Sequence, residues 1–573
     1  MPLITIFLLS VLAVLCLVFL DYFVLRPYLQ ARYYRRQGVQ GTPFTPLLGD
    51  LLRLRALRAQ PFDTWFTHWE TQYGRRVHYM FLGPEFRLRL CSPELARGVL
   101  VTHAASFHKG RLMRSLLGRA LGDGLLLSED EVHRRHRGML SPAFHYARLQ
   151  GMAGGIARAS ARAVRQLLQQ GQAQPVDFHE SVSALTLHII GSAAFGCDFQ
   201  GLLPAPQPGS EEAEPGGSAA SATSAEDAAS VYAGLTMLLE FVLSSVQSLS
   251  AFVPGILALP TPGNTKALAA LERLKALVRR MIEARRQSRQ QQKGAADSTA
   301  STSTSSQGDI LLDFLLDAQD DSKGGKGFTN EEILGEALTF VLAGHETTAQ
   351  ALTWTLLLLA QNPAWKTRLR EEVRGVLCQP APPTTPQQQP APSSSPPLPQ
   401  PRLPAAEDIS SMPVLQAVLY ESMRLYPPAP LVARECVRDG VVLEDGAGPG
   451  LRLCKGTTVI IPIASIHRDP ELWQAPEAFD PGRWLLAAEE GEGGAPLRAS
   501  GTANLRHPLA YMPFSAGTRN CIGSHFALLE ARVILATLCS RVDWAVGEGY
   551  VHQPVMAVTL RPSKGLPMRF SEL

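Results

Sequence analysis

The sequence predicts a single large domain, mainly α-helical, behind one N-terminal membrane-spanning helix. Two observations lead to this fold class: an unbroken apolar stretch at the N-terminus, and long helical patterns without a periodic repeat in the rest of the chain. The chain has 573 residues, of which 45% are hydrophobic and 18% charged. Such a chain can bury a large core, so we expect a folded body of enzyme size.

The charge balance argues against one class of function. Lys and Arg number 54 and Asp and Glu number 51, which gives a net charge of +3 without a basic domain or an acidic tail. Nucleic-acid binding depends on clustered positive charge, so no nucleic-acid partner is expected. Chemistry on a small molecule is the better hypothesis.

The N-terminal apolar stretch predicts a membrane anchor over residues 1–25. Leu3–Leu20 is apolar or small throughout, and a helix of this length spans roughly 27 Å, close to the thickness of a bilayer core. A cleaved signal peptide is the alternative, but no basic residue precedes the stretch and no small-x-small cleavage site follows it. The arginines come after the stretch, which places the body on the cytosolic side.

Behind the anchor, residues 26–50 are basic and proline-rich and predict a hinge. Residues 51–573 form the body. Four stretches of this body have low-complexity composition and cannot bury enough apolar surface to fold, so they predict disordered insertions. They lie near 204–229, 287–308, 379–404 and 487–505.

The clearest helix is predicted from Thr329 to Asn362. Thr329 with Glu332 forms a capping-box pattern, and Pro363 ends the helix. Its apolar circumference predicts a course through the interior, interrupted by AGHETT at 343–348. Gly344 and Thr347 share a face there, so a flat group could approach beside a hydroxyl and a carboxylate, as a proton relay requires. A simple helix kink is the alternative.

A second polar pattern is ESMR, in which Glu421 and Arg424 stand at i, i+3 on a helix that Pro427 and Pro428 terminate. As an isolated surface ion pair it would contribute only ~0–1 kcal/mol. The downstream stretch FDPGRW supplies Arg483, which could fold back over the pair, although the spacing alone leaves that contact open.

The third pattern is FSAGTRNCIG, residues 514–523, which places Cys521 between glycines and directly before an apolar helical run. The chain has eight cysteines without a CxxC pair, which argues against a zinc ribbon, a redox dithiol or a disulfide-rich domain. Most of them are expected to be small buried hydrophobic residues. The setting of Cys521 therefore needs a chemical explanation.

Taken in this order, AGHETT, ESMR, FDPGRW and FSAGTRNCIG resemble the cytochromes P-450, the haem-thiolate monooxygenases, of the membrane-anchored eukaryotic type. The last pattern matches F-x-x-G-x-R-x-C-x-G at every fixed position, and the resemblance covers nearly the whole chain apart from the four insertions. It implies a mainly α fold with small β-sheets, the cytochrome P-450 fold, as a single large haem-binding domain behind the anchor.

The resemblance also implies residue roles. Cys521 matches the axial ligand of the iron of haem b, with loop amides and the following helix N-terminus favouring the thiolate. Glu346 and Thr347 match the acid and hydroxyl that deliver protons to dioxygen. A buried structural triad is matched by Glu421, Arg424 and Arg483. Further cofactor-binding positions are Arg519, Phe514, Gly517, Gly523, Arg137, His133, Arg434, Ala343 and Gly344.

Three of these positions, His133, Arg137 and Ala343, carry a departure from the family pattern or an alternative interpretation. Most membrane-bound members have Trp where this chain has His133, and a solvated basic helix face is the alternative interpretation of His133 and Arg137. Gly517 and Gly523 are expected to let the backbone approach the sulfur and the porphyrin. Ala343 stands where fatty-acid hydroxylases that attach haem covalently carry Glu, which argues against covalent attachment here.

The implied reaction inserts one oxygen atom from O2 into an apolar, lipid-like substrate: an isoprenoid, a sterol, a carotenoid or a fatty acid. Electrons would come from NADPH through a reductase, with cytochrome b5 or a ferredoxin as other possible donors, because no flavin or dinucleotide motif is present. The expected location is the endoplasmic reticulum membrane, with a plastid membrane as the alternative. A haem-thiolate isomerase or dehydratase and a non-catalytic haem sensor are the competing functions.

Overall fold

A computed structural model of the protein is mainly α-helical with several small β-sheets, which confirms the fold class. The residues that it describes are 2–57, 62–171, 174–199, 201–207, 210–212, 221–223, 225–246, 252, 259–296, 310–320, 327–379, 400–446, 448–486, 498–499, 502, 504–556 and 558–573.

The α-helices of this part of the chain are α1 Pro2–Leu20, α2 Arg26–Arg35, α3 Leu51–Leu57, α4 Phe62–Tyr73, α5 Pro93–Arg97, α6 Arg111–Leu121, α7 Asp130–Leu140, α8 Tyr146–Gly171, α9 Phe178–Phe195, α10 Ala225–Val246, α11 Pro262–Ala296, α12 Leu311–Asp320, α13 Asn330–Gln361, α14 Pro363–Leu377, α15 Ala406–Ser410, α16 Pro413–Leu425, α17 Ile463–Ile466 and α18 Ser524–Arg541.

The strands are β1 Gln40–Gly41, β2 Val77–Leu82, β3 Glu85–Leu90, β4 Phe107–Lys109, β5 Val176–Asp177, β6 Cys197–Phe199, β7 Ser221–Thr223, β8 Val432–Cys436, β9 Val442–Leu443, β10 Leu451–Arg452, β11 Thr458–Ile461, β12 Leu485–Leu486, β13 Arg498–Ala499, β14 Val542–Val546, β15 Pro554–Met556, β16 Leu560–Pro562 and β17 Pro567–Glu572. The largest sheet has six strands in the order β1-β2-β3-β11-β8-β4, and a second has the order β14-β17-β5. The remaining strands form two-stranded pairs.

The N-terminal helix continues beyond the predicted anchor. One helical segment among the described residues, Leu3–Arg35, is long and apolar enough to cross a membrane, and its apolar window is not buried by the protein. The first ten residues of the predicted hinge 26–50 are helical as α2, which corrects that boundary. A π-helical turn, Asp21–Leu25, lies before Pro27 and accommodates the missing backbone N–H of the proline.

The end of α2 is packed into the body. Tyr34 is fully buried, its ring stacks on Phe86 at a centroid distance of 5.2 Å, and its hydroxyl lies 2.8 Å from Oγ1 of Thr457. The apolar helix is therefore joined to the main sheet by a packed contact, and the irregular exit predicted from the prolines begins only after Arg35.

Helix α13 follows the prediction almost residue for residue. Thr329 is its N-cap, and both hydrogen bonds of the capping box to Glu332 are present, at 2.8 and 3.2 Å. The 32 residues extend about 48 Å, and 24 of them are buried. The helix packs against α9, α16 and α18, so it crosses the interior and serves as the common neighbour of the elements around it.

The structure places helices or strands inside three of the predicted insertions. Residues 225–229 already belong to α10, residues 287–296 continue α11, and the strands β7 and β13 also lie within the predicted bounds. The alanine-rich and glutamine-rich sequences there have adequate helix propensity, which the low-complexity composition concealed. Residues 213–220, 297–308, 380–399 and 487–497 of these insertions lie outside the described part of the chain.

Candidate functional site

A cavity lies between α13 and the loop that precedes α18. One side of the cavity is lined by α13 residues Ala343, Gly344 and Thr347. The opposite side is lined by the loop before α18, with Phe514 and Cys521. Its walls are largely apolar. Ten of the predicted site residues meet in this cavity: His133, Arg137, Ala343, Gly344, Thr347, Arg434, Phe514, Arg519, Cys521 and Gly523.

The loop presents the thiol of Cys521 to the cavity. The Cys521 N–H donates to the Phe514 carbonyl at 3.0 Å, which closes the loop, and α18 begins at Ser524 after Gly523. The side chain is open to the cavity although the site lies deep in the protein. Burial raises the pKa of the Cys521 thiol, and the Gly523 amide and the Arg137 guanidinium only partly oppose this.

Of the groups expected to favour the thiolate, the Gly523 amide does lower the pKa of Cys521, but burial raises it more. Removal from water disfavours the charged form of a thiol, and in the protein alone that effect is the larger one. A coordinating metal ion deprotonates a thiol outright, so a metal ion bound at Cys521 would favour the thiolate.

Contacts within the protein account for two glycines of the site, Gly517 and Gly344. Gly517 has a φ of +72°, and a Cβ there would lie 1.9 Å from the Leu100 carbonyl oxygen, so Gly517 is required by backbone contact and does not line the cavity. A Cβ on Gly523 would meet only ordinary contacts, 4.0 Å from the Cys521 sulfur. On α13, a Cβ added to Gly344 would crowd Ile190 at 3.0 Å.

One edge of the cavity is rich in buried positive charge. Arg434 is 5% exposed, and burial followed by the neighbouring Arg519 lowers its pKa to about 10. Arg519 forms an ion pair with Glu129 and donates to the Ser128 carbonyl at 2.6 Å. Arg137 donates to the backbone and side-chain oxygens of Asn520 at 2.5 and 2.7 Å.

His133 belongs to the same edge but is a neutral side chain. Burial, followed by the charges of Arg519 and Arg137, lowers the pKa of His133 to about 3. Its ring therefore contributes hydrogen-bonding capacity to the cavity at neutral pH, but no positive charge.

Sequence reasoning missed Lys109, which lines the same edge. Strand β4 pairs with β8 and places Lys109 directly opposite Arg434. Burial lowers the pKa of Lys109 well below its usual value, and Arg434 and Arg519 add to this effect. Like charges paired across strands are unfavourable. Only the pairing of two strands far apart in sequence brings this lysine to the site, and no local motif signals it.

The charge balance of the lining tests whether an anionic cofactor fits. The described residues that line the cavity include Lys109, Arg137, Arg434 and Arg519 but no Asp or Glu. Buried charges are stable only when they are paired. A group with two carboxylates at this edge, a flat apolar body and an iron within reach of Cys521 fits this lining, and haem b has these properties.

Thr347 and Glu346 point in different directions. The Thr347 hydroxyl donates to the Ala343 carbonyl at 2.8 Å and lines the cavity. Successive residues of a helix are rotated by about 100°, so Glu346 is not among the lining residues. Its Oε1 accepts hydrogen bonds from Gln350 at 2.8 Å and Thr559 at 2.9 Å.

The environment of Glu346 keeps it ionised. Burial acts to raise the pKa of Glu346, but the imidazoles of His345 and His179 and the donors of Gln350 and Thr559 outweigh it and lower the pKa. The carboxylate predicted to share a groove with the hydroxyl instead lies behind it, on the side of Thr559.

The predicted fold-back of Arg483 is present. Glu421 and Arg424 are both fully buried and joined by two hydrogen bonds of 2.9 Å, and Arg483 donates to Glu421 at 3.2 Å. Arg424 also donates to three backbone carbonyls, so all five of its N–H groups are used. Glu421 further accepts from Trp484 and from the Asp480 amide.

A histidine connects this ion pair to the cysteine loop. Burial, followed by the charge of Arg424, lowers the pKa of His467 to about 3, so the ring is neutral. Its Nε2 accepts from the Met512 N–H at 2.9 Å, and its Nδ1 therefore donates to the Arg424 carbonyl at 3.2 Å. Met512 lies two residues before Phe514, at the start of the loop.

These features define a haem-thiolate protein of mainly α-helical fold. The family model for cytochrome P450 matches residues 39–566, and the chain belongs to that family. It is 30% identical to a cytokinin hydroxylase of Arabidopsis thaliana over 93% of this chain and 90% of that protein. It is 26% identical to cytochrome P450 72A11 of the same plant, over 96% and 94% of the two chains.

A rice relative, cytochrome P450 734A6 of Oryza sativa subsp. japonica, is 27% identical over 95% of this chain and 92% of that protein. The protein is thus a monooxygenase of the oxidoreductase class, with a haem-thiolate cofactor implied by its family.

The buried ion pair predicts an unequal effect of removing its members. Glu421→Ala leaves the fully buried Arg424 without a counter-charge and should lower the free energy of unfolding by about 3–5 kcal/mol. Arg483→Ala removes two hydrogen bonds of a partly exposed side chain, to Glu421 and to the Ala475 carbonyl, and should cost about 1–2 kcal/mol. Urea titration of both variants measures the difference, and equal losses would contradict the assignment.

The contact of Gly517 with Leu100 also predicts a measurable effect. Gly517→Ala forces a side chain against the Leu100 carbonyl at a φ of +72° and should lower the thermal midpoint by several degrees or prevent folding. Gly375→Ala is the matched control, because a Cβ there meets nothing within 4 Å inside α14. An unchanged midpoint for Gly517→Ala would show that the loop can shift away from Leu100.

Proposed function

We propose that the protein is a membrane-anchored monooxygenase that inserts one oxygen atom from O2 into an apolar, lipid-like substrate. The observation that carries this proposal is the cavity in which the Cys521 thiol faces Gly344 and Thr347 across largely apolar walls, with several cationic side chains along one edge. Family membership supports the reaction class, and the lining supports the cofactor and the kind of substrate.

Haem b, when bound, supplies thiolate-ligated iron that activates dioxygen. Cys521 would ligate this iron through its sulfur, and Phe514 would cover the sulfur. Arg137, Arg434 and Arg519 would hold the propionates, with Lys109 as a fourth cation at that edge. The two carboxylates would offset the desolvation cost of these charges.

Thr347 would manage protons on the side of the cavity opposite the cysteine. Its hydroxyl hydrogen points to the Ala343 carbonyl, which leaves the lone pairs of Oγ1 free to accept a hydrogen bond from a water or substrate in the cavity. Glu346, ionised and held by Gln350 and Thr559, would collect protons on the far side of α13 and pass them toward Thr347.

The substrate is proposed from the cavity walls. Leu125, Leu126, Ile190 and Phe340 contribute apolar surface above α13, which suits an isoprenoid, sterol, carotenoid or fatty-acid skeleton. A relative with 30% identity is named a cytokinin hydroxylase, and hydroxylation is the same oxygen insertion. Cytokinins therefore belong in a substrate screen beside the lipid classes.

The redox partner and the location complete the proposal. Electrons would come from NADPH through a separate reductase, with cytochrome b5 or a ferredoxin as alternatives. The unburied apolar helix Leu3–Arg35 and the arginines at its end support a single-pass anchor with the body on the cytosolic face of the endoplasmic reticulum. A plastid membrane is the alternative location.

A coupling experiment tests this function. Purified full-length protein with a NADPH-dependent reductase is titrated with lipid classes and cytokinins, and substrate binding is followed by the haem absorption spectrum. A monooxygenase should consume O2 and NADPH in step with hydroxylated product. Product formed from a peroxide without O2 would instead indicate an isomerase or dehydratase, and binding without turnover would indicate a haem sensor.

The role of Cys521 predicts a spectroscopic result. Cys521→Ser should remove the thiolate-type absorption band of the reduced, CO-bound protein. Cys539→Ser is the matched control on α18, because Cys539 is buried, burial raises its pKa to about 12, and it does not line the cavity. Retention of the band in Cys521→Ser would exclude this cysteine as the ligand.

The role of Thr347 predicts a change in coupling. Thr347→Ala should retain the CO-bound spectrum but divert electrons to hydrogen peroxide, with product per NADPH falling about 10-fold or more, in the range expected for a lost proton-transfer group. Thr347→Ser keeps the hydroxyl and should restore most of the coupling. Equal coupling in the wild type and Thr347→Ala would remove Thr347 from the proton route.

A further inference from the structure

A buried carboxylate on α13 holds the loop that roofs the cavity. The loop, residues 122–128, joins α6 to α7, and two of its side chains, Leu125 and Leu126, line the cavity. Glu336 is fully buried, and its Oε1 accepts a hydrogen bond from the Leu125 N–H at 2.8 Å. The roof is therefore attached through its backbone to a side chain that does not itself line the cavity.

The same oxygen binds a second element. His136 on α7 is fully buried, and its Nδ1 donates to Glu336 Oε1 at 2.7 Å. On the other side of the ring, Nε2 lies 3.0 Å from Arg135 and 3.2 Å from Glu332. Helix α7 also carries His133 and Arg137 at the cationic edge. One carboxylate oxygen thus connects α13, the roof loop and α7.

Backbone packing limits how close the roof can come. A Cβ on Gly124 would lie 2.7 Å from the Thr339 hydroxyl and 3.0 Å from the Gly335 carbonyl oxygen. A Cβ on Gly335 would lie 2.6 Å from the Leu121 carbonyl oxygen. Because neither glycine carries a Cβ, the loop packs directly against α13, and the hydrogen bond to Glu336 holds it there. The distance between the loop and α13 is therefore limited in both directions.

We propose that Glu336 is a positioning residue that sets the height of the Leu125–Leu126 roof above the reacting face of the cavity, and so determines the size of molecule that fits there. It does so through the backbone of Leu125, without contact to substrate or cofactor. The inference rests on the proposed function for the location of the reacting face. A hydrogen bond to a buried carboxyl oxygen is directional, and its loss leaves the Leu125 N–H unsatisfied.

Two nitrogenous ligands of the haem iron test the proposal in the full-length holoenzyme. Imidazole is small, whereas 4-phenylimidazole must fit beneath the roof, and spectral titration gives both dissociation constants. Glu336→Ala should change the ratio of the dissociation constants of imidazole and 4-phenylimidazole by at least about five-fold. This factor is the smallest change expected when a buried N–H is left unsatisfied. Hydrogen exchange at residues 122–128 should accelerate by a similar factor, because the Leu125 amide loses its acceptor.

Matched variants separate positioning from general damage. Glu336→Gln keeps an acceptor oxygen and should resemble the wild type, and so should Glu331→Ala, which removes a largely exposed carboxylate from the same helix. Gly124→Ala should shift the ratio without any change of charge, because its Cβ displaces the loop from Thr339. A shift in Glu336→Gln equal to that in Glu336→Ala would overturn the hydrogen-bonding role.

Glu336→Asp covers the case in which the alanine variant does not fold, because it keeps the charge but withdraws the oxygen from Leu125 by one methylene. An unchanged ratio and unchanged exchange in a folded Glu336→Ala or Glu336→Asp, with the CO-bound thiolate band intact, would overturn the proposal. Absence of that band in the wild type would instead overturn the proposed function. The two failures are thus distinguishable.

Discussion

The structure around the cavity depends on one buried ion pair. Glu421 and Arg424 are fully buried, and burial of two charges is favourable only when each is completely hydrogen-bonded. Here every N–H of Arg424 has an acceptor. The acceptors are Glu421 on α16, the carbonyl of His467 directly after α17, and the carbonyls of Pro476 and Ala478 before β12. The requirement for full pairing therefore fixes segments far apart in sequence. Through His467 it also fixes Met512, where the cysteine loop begins.

The rule that buried charges must be paired also applies to the cationic edge of the cavity, where the pairing within the described chain is incomplete. Arg434 and Lys109 lie side by side across two strands, and the nearby carboxylate of Glu129, which pairs with Arg519, acts on both of them. The ion pair of Glu421 is complete within the chain, whereas the described residues that line the cationic edge carry no carboxylate, so this edge can accept an anionic ligand. This contrast distinguishes a structural charge cluster from a binding one more clearly than residue identity does, since both contain arginines.

Much of the fold and site could be predicted from patterns local in sequence. The capping box at Thr329, the i, i+3 spacing of Glu421 and Arg424, and the helix after Cys521 all follow from local geometry and appear as expected. The missed features need tertiary contacts. Lys109 reaches the site only by pairing of β4 with β8, and the need for Gly517 comes from the carbonyl of Leu100.

Helix α13 shows why neighbouring residues of one motif have separate tasks. The rotation of about 100° per residue turns Thr347 toward the cavity and Glu346 toward Thr559, so AGHETT serves two faces rather than one groove. About three turns earlier, Glu336 faces the roof loop. Because the helix is buried over most of its length, none of these faces can turn independently. The positions of the Thr347 hydroxyl, the Glu346 carboxyl group and the roof loop are therefore linked by the rigidity of a single helix.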